Sequence, residues 1–284
     1  MQFYFTRWEL AGAAVQGGWH VRKNIPCQDC YALIRKGEVA CITLADGAGS
    51  RDFSDLGSEV VVRKTRDFLV ENFDALWNIP RPRLKRIIME ELRGELEKTA
   101  KAYDFPLGEL ASTLLFAATS GQKYIAGQLG DGVLACRKGE EMDIIFTPDQ
   151  GEYFGSTYFT TMENASDRLR IARGYLGDIT GFLLMTDGTA ESLYNRKKKK
   201  LAPGARKIMD WLKTRPPGES DGVLEKTLKE VIQPRALDDC GLVLMQARKV
   251  PLGYLKQPAV IFDSLYWKTC LLQWEKILEK RDIL

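Results

Sequence analysis

Five aspartates along this chain stand at the ends of short apolar runs, and that recurrence limits the fold more than any other feature. Val39 to Leu44 leads into Asp46-Gly47, Lys123 to Leu129 into Gly130-Asp131-Gly132, and Phe182 to Thr186 into Asp187-Gly188. Asp29 precedes the run Cys30 to Ile34, and Asp238-Asp239 precedes Leu242 to Met245. Runs this short, partly β-branched and bounded by glycine or polar residues, read as buried strands. One Asp-Gly after an apolar run is an ordinary turn. Several at strand ends, in strands that pair into one body, bring carboxylates together at one rim.

The strands pair locally. Cys30 to Ile34 and Val39 to Leu44 flank the tight turn Lys36-Gly37-Glu38, which predicts a hairpin with Asp29 and Asp46 at the same end. Ser112 to Ala118 and Lys123 to Leu129 predict a second hairpin. Val133 to Cys136 and Ile144 to Thr147 predict a third. Between them the period changes. Val61, Phe68, Leu69 and Phe73, then Leu84, Ile88, Leu92 and Leu96, mark two amphipathic helices that must lie on something apolar. Two shorter helices are expected around Ala205 to Leu212 and Val223 to Ile232. Gly151 to Asp178 reads as an irregular flap, and Arg196 to Lys200 as a solvated basic loop. Pro251 to Pro258 reads as a linker before a last helix, Ser264 to Leu278, with Trp267, Leu271, Trp274 and Leu278 on one stripe. The expected division is a domain over 1–248 and a linker with a C-terminal amphipathic helix over 249–284. That helix docks on the domain or on a partner.

Composition excludes several alternatives. A net charge of +3 over 284 residues gives no whole-chain case for nucleic acid or a membrane surface. No apolar run approaches the length of a membrane span, and the first residues lack the pattern of a signal peptide, so a cytoplasmic location is expected. His20 is the only histidine, which weakens any Ser-His-Asp or Cys-His hydrolase. Cys27 and Cys30 form a CxxC with no second pair, too few ligands for a closed zinc site and at most a redox pair.

Asp29, Asp46, Asp131, Asp187 and Asp238, once convergent, would repel and lose solvation. An all-oxygen set of this kind suits a hard divalent cation such as Mg²⁺ or Mn²⁺.

The motifs, in order, resemble those of the metal-dependent protein phosphatases of the protein phosphatase 2C type, in a bacterial-type branch. CQDC resembles the early acidic motif and LADGAGS the central Asp-Gly motif. ASTLLFA resembles the Gly/Ala-Ser-Thr strand, and QLGDG the Gly-Asp-Ser motif with Gly132 for serine. MTDGTAE resembles Ser-Asp-Gly, and Asp238-Asp239 the closing Asp-Asn with Asp239 for asparagine. The resemblance covers residues 12 to 248. It implies an α+β fold, a four-layer α-β-β-α sandwich of two packed antiparallel sheets flanked by helix pairs. It implies metal-dependent hydrolysis of phosphoserine and phosphothreonine in proteins through a metal-bridging water. Two Mn²⁺ or Mg²⁺ ions would be held by Asp29, Asp46, the Gly47 carbonyl, Asp187 and Asp238, with Asp46 bridging. Asp131 and Glu191 match a third, weaker metal site. A phosphoprotein substrate and a cognate Ser/Thr kinase are the implied partners, with no nucleic acid and no membrane.

The departures are specific. Asn24 stands where many members carry a phosphate-gripping arginine, so His20, Arg22 and Lys23 are the candidates for phosphate, with His20 preferred. Ala48 replaces the histidine some members carry after Asp-Gly, which leaves the general acid unassigned. A non-catalytic member that binds a partner is the rival reading, and a redox switch at Cys27 and Cys30 a third.

Overall fold

The computed structural model describes residues 4–151, 157–214, 220–251 and 261–262. The strands are β1 (Tyr4–Val15), β2 (Asp29–Lys36), β3 (Val39–Asp46), β4 (Leu114–Ser120), β5 (Lys123–Leu129), β6 (Val133–Lys138), β7 (Glu141–Phe146), β8 (Arg170–Tyr175), β9 (Ile179–Met185), β10 (Tyr194–Asn195), β11 (Lys200–Leu201), β12 (Cys240–Pro251) and β13 (Ile261–Phe262). The helices are α1 (Gly18–Lys23), α2 (Ser54–Asn78), α3 (Arg81–Ala102), α4 (Ala165–Arg168), α5 (Asp187–Leu193), α6 (Pro203–Thr214) and α7 (Ser220–Thr227).

Two antiparallel sheets carry the fold. One has the order β1-β12-β9-β6-β7 and the other β13-β2-β3-β4-β5-β8. Their facing sides close on Leu33, Ile42, Leu44, Leu115, Phe182 and Val243, all buried. Helices α2 and α3 cover the outer face of the second sheet, burying Val61, Leu69, Leu84, Ile88, Leu92 and Leu96 against Phe116 and Ile125. Helices α6 and α7 cover the other sheet through Ile208, Met209, Leu212 and Leu224. This is the expected four-layer α+β sandwich. A strand with a helix layer on one side and a sheet on the other is buried on both faces. Val39 to Leu44 is for that reason a continuous apolar run rather than an alternating one. Burial of each large aliphatic side chain in these layers contributes about 1.5–3 kcal/mol. Pro80, in an extended conformation, ends α2, because the residue before a proline is pushed out of the helical region.

Three expectations need revision. The first fifteen residues were not read as a strand. They form β1, paired in register with β12 from Tyr4↔Pro251 to Val15↔Cys240. The irregular flap over Gly151 to Asp178 is too broad. Within it lie the short helix α4 and the strand β8, which pairs with β5 at the edge of its sheet. The basic run Arg196 to Lys200 is exposed throughout, as expected of a solvated loop, and forms the turn of the small β10–β11 hairpin. Finally, β12 runs past residue 248 to Pro251, and Ile261–Phe262 pairs with Ile34 and Leu33 of β2. The stripe Trp267, Leu271, Trp274 and Leu278 lies outside the described residues.

A candidate metal centre at the strand ends

The β2–β3 hairpin pairs Asp29 directly with Asp46. Asp46 is then fixed through its backbone. Its N–H donates to Thr113 Oγ1 at 2.9 Å, and its carbonyl accepts from Thr113 N–H at 2.8 Å. Thr113 of the ASTLLFA segment is therefore the clamp on the central aspartate. Gly47 continues from it, donating to the Gln28 carbonyl at 3.1 Å and bridging to Ser112.

Asp187 opens α5 directly after β9. The following residue has to be glycine, because a Cβ on Gly188 would stand 2.1 Å from the Asp239 carbonyl oxygen. The close approach draws the β9–α5 junction onto the Asp238-Asp239 turn. Thr186, just before, completes the link. Its hydroxyl donates to Asp29 Oδ2 at 2.7 Å and accepts from Gly241 N–H at 2.8 Å. One threonine thus ties β9, β12 and β2 together beneath the acids.

These carboxylates act on one another. The Asp29 carboxyl is pushed well above the ordinary carboxylate range, first by burial and then by Asp239, while the Thr186 hydrogen bond opposes the shift. Asp46 is pushed up by burial and by Asp29, Asp187, Asp238 and Asp131. Asp187 rises by burial and by Asp131 and Asp238, against hydrogen bonds from Gly188 and Asp46. Asp131 rises by burial, moderated by its own backbone N–H, the Thr157 hydroxyl and Arg196. Asp238 is exposed at the rim but enters each of these interactions. Glu191 is exposed on α5, one turn after Asp187.

Asp29 Oδ1 and Asp187 Oδ1 are buried without a hydrogen-bond donor among the described residues. Mutually repelling carboxylates with idle buried oxygens, and no nitrogen or sulfur among them, fit a hard divalent cation.

The closing pair divides. Asp239 is 2 % exposed and approached from three sides. Gly17 N–H donates to its Oδ1 and Gln28 N–H to its Oδ2, both at 2.6 Å, and His20 Nδ1 lies 2.8 Å from Oδ1. His20 is itself 3 % exposed on α1, and the hydrogen bond to Asp239 raises its pKa against the effect of burial. Ligand atoms of His20, Asp238 and Asp239 all lie within 4.8 Å of one another. Arg22 and Lys23 are exposed in the last turn of α1, and Asn24 caps that helix in a left-handed conformation at φ 55°. Cys27 is buried, with its thiol donating to the Asp29 carbonyl and pushed well up by burial, the reverse of an activated thiolate.

Sequence reasoning missed Thr113, Thr186 and the role of Asp239. The two threonines stand inside quoted motifs, and their position one residue from a strand-end turn is the signal that was available.

Comparisons with known proteins identify the family. The profile of the protein phosphatase 2C family matches residues 16–233. The chain is 27% identical over 167 residues to Serine/threonine-protein phosphatase 3 of Escherichia coli K12, an alignment spanning 57% of this chain and 66% of that protein. Among solved structures, the S. agalactiae serine/threonine phosphatase superposes with a TM-score of 0.59 at 14% identity, covering 84% of this chain and 99% of that one. A bacterial serine phosphatase gives 0.58 at 12%, covering 84% and 98%. At such identities the structures speak for the fold alone. With a family profile matched over most of its length, the chain belongs to the protein phosphatase 2C family.

Proposed function

We propose that this chain is a metal-dependent phosphomonoesterase that removes phosphate from phosphoserine and phosphothreonine in proteins. The observation that carries the proposal is the convergence of Asp29, Asp46, Asp131, Asp187 and Asp238, with buried oxygens left unpartnered. Asp29, Asp46, the Gly47 carbonyl, Asp187 and Asp238 would hold two Mn²⁺ or Mg²⁺ ions, and Asp131 with Glu191 a third. Such ions lower the pKa of a bound water and draw charge from a phosphoryl group. The protein's own part is orientation. Thr113 fixes the Asp46 backbone, and Thr186 fixes Asp29 against the β9–β12 junction.

His20 is the proposed phosphate donor. With Nδ1 engaged by Asp239, Nε2 is the nitrogen left to donate, and it donates when the ring carries both protons. Arg22 and Lys23 would add charge from the surface. A cognate Ser/Thr kinase would supply the phosphoprotein.

Hydrolysis of p-nitrophenyl phosphate with and without Mn²⁺ or Mg²⁺ tests the proposal. Turnover should need the cation and vanish with EDTA. Full activity after exhaustive chelation overturns it. Asn24 at the arginine position favours the rival, a binding module without turnover. That reading would be chosen by cation binding with no hydrolysis of any phosphomonoester.

A further inference from the structure

We propose that the groove between β7 and the β10–β11 hairpin docks the substrate protein, taking an acidic segment beside the phosphorylated residue. The proposal rests on the phosphatase reading above and adds what that site prefers.

Among the described residues, β7 is the last strand of its sheet and pairs only with β6. Opposite that edge stand β11 and the start of α6. Glu141 to Ile144 form one wall and Lys199, Lys200, Arg206 and Lys207 the other, around a cavity of about 610 Å³. A second cavity of about 480 Å³ continues from it, sharing Asp143, Ile144 and Lys199 and adding Lys138 and Arg170. Six cationic side chains thus line the two cavities beside two acidic ones, Glu141 and Asp143, in a chain whose total charge is +3.

Part of this charge is internally balanced. Lys138 pairs with Asp143 at 2.9 Å, Arg170 with Asp149 at 3.8 Å and Arg206 with Glu140 at 4.0 Å. Lys199, Lys200 and Lys207 have no acidic partner among the described residues. The hairpin turn that carries two of them is closed by Lys198 N–H donating to Asn195 Oδ1 at 2.8 Å. Unpaired cations lining a groove complement an acidic peptide.

The groove also leads to the acids. Helix α5 begins at Asp187 and passes directly into β10, so the hairpin starts one short helix, about 10 Å, from the centre. At the other end, Asp149 N–H donates to the Gly130 carbonyl at 3.2 Å, which brings the exit of β7 beside Asp131. A nucleic acid would need stacking platforms. The one aromatic ring lining the groove, Tyr124, packs instead on Phe182 with centroids 5.4 Å apart.

The test compares wild type with a Lys199→Ala, Lys200→Ala, Lys207→Ala triple variant on three substrates. These are a phosphothreonine peptide flanked by four glutamates, the same peptide flanked by glutamines, and p-nitrophenyl phosphate. The variant should lose roughly tenfold in kcat/KM on the acidic peptide and keep wild-type rates on the other two. Equal loss on all three, or no loss on the acidic peptide, overturns the proposal. Fluorescence anisotropy of the unphosphorylated glutamate peptide separates docking from chemistry. Salt-sensitive binding that disappears in the variant supports the groove even if no phosphomonoester is hydrolysed. No binding to wild type, or tighter binding of polyuridylate than of the peptide, rejects it.

Discussion

Asp29 and Asp239 are both almost fully buried, lie close enough to repel, and have opposite circumstances. Asp29 keeps one oxygen without a donor, and its charge is opposed by burial and by its acidic neighbours. Asp239 is ringed by two backbone N–H groups and an imidazole. The first aspartate keeps an oxygen that no described residue answers, and the second has its donors supplied from within. A buried carboxylate is therefore not a site by virtue of burial. What distinguishes a centre from a structural hub is which oxygens remain unanswered after folding.

The sharpest way to break this comparison is to neutralise one acid of each kind. Asp46→Asn should lower turnover at least ~10³-fold, since several kcal/mol of transition-state charge stabilisation depend on that group. In EDTA the same variant should melt higher than wild type, because mutual repulsion is relieved. A lower melting temperature would contradict the account of Asp46.

His20→Ala tests whether the hub also serves the substrate. Turnover should fall about 10²–10³-fold with Mn²⁺ affinity, read by calorimetry, unchanged. Wild-type turnover in that variant, together with loss in Arg22→Ala, would assign the phosphate to the arginine.

Asp239→Ala should act chiefly on the fold. It strands the Gly17 and Gln28 N–H groups and the imidazole, at about 3–5 kcal/mol for a broken buried pair. At this chain length that is on the order of 10 °C in Tm. A Tm within a degree of wild type would mean that the three donors find other acceptors.

The smallest effect isolates burial from repulsion. Glu59 on α2 is raised to about 7, mainly by burial, with Arg63 opposing and Asp55 adding a smaller rise. Its folded pKa lies above the unfolded value, so the charged form costs stability above about pH 7 and the cost disappears as pH falls below the ordinary glutamate range. Glu59→Gln should raise Tm by about 2–4 °C at pH 8 and not at pH 4. Equal gains at both pH values would point to packing instead of charge.

Much of this was legible beforehand because it rests on local pattern. The β2–β3 hairpin, the two long helices and the convergence of strand-end acids follow from runs, turns and periods within a few residues of each other. β1 was not legible, because its second half, Leu10 to Val15, is small and shows no alternation; its partner β12 lies at the far end of the domain. β8 failed for another reason. As a short edge strand it buries only Ile171, so it carries no apolar signature. The clamps Thr113 and Thr186 act across more than sixty residues of sequence, which no local reading reaches.

The pairing of Asp29 with Asp46 is set from the opposite end of the sheet. Strands β2 and β3 each carry eight residues, and their register begins at Lys36↔Val39, across a two-residue loop that starts with Gly37 at φ 60°. Side chains alternate faces along a strand, so a slip of one residue at that loop would turn one aspartate away from the other. The loop stands about 24 Å from the acids it aligns. Chemistry at one rim is thus written into the length of a turn at the other, and a single inserted residue there would silence the centre without touching any group in it.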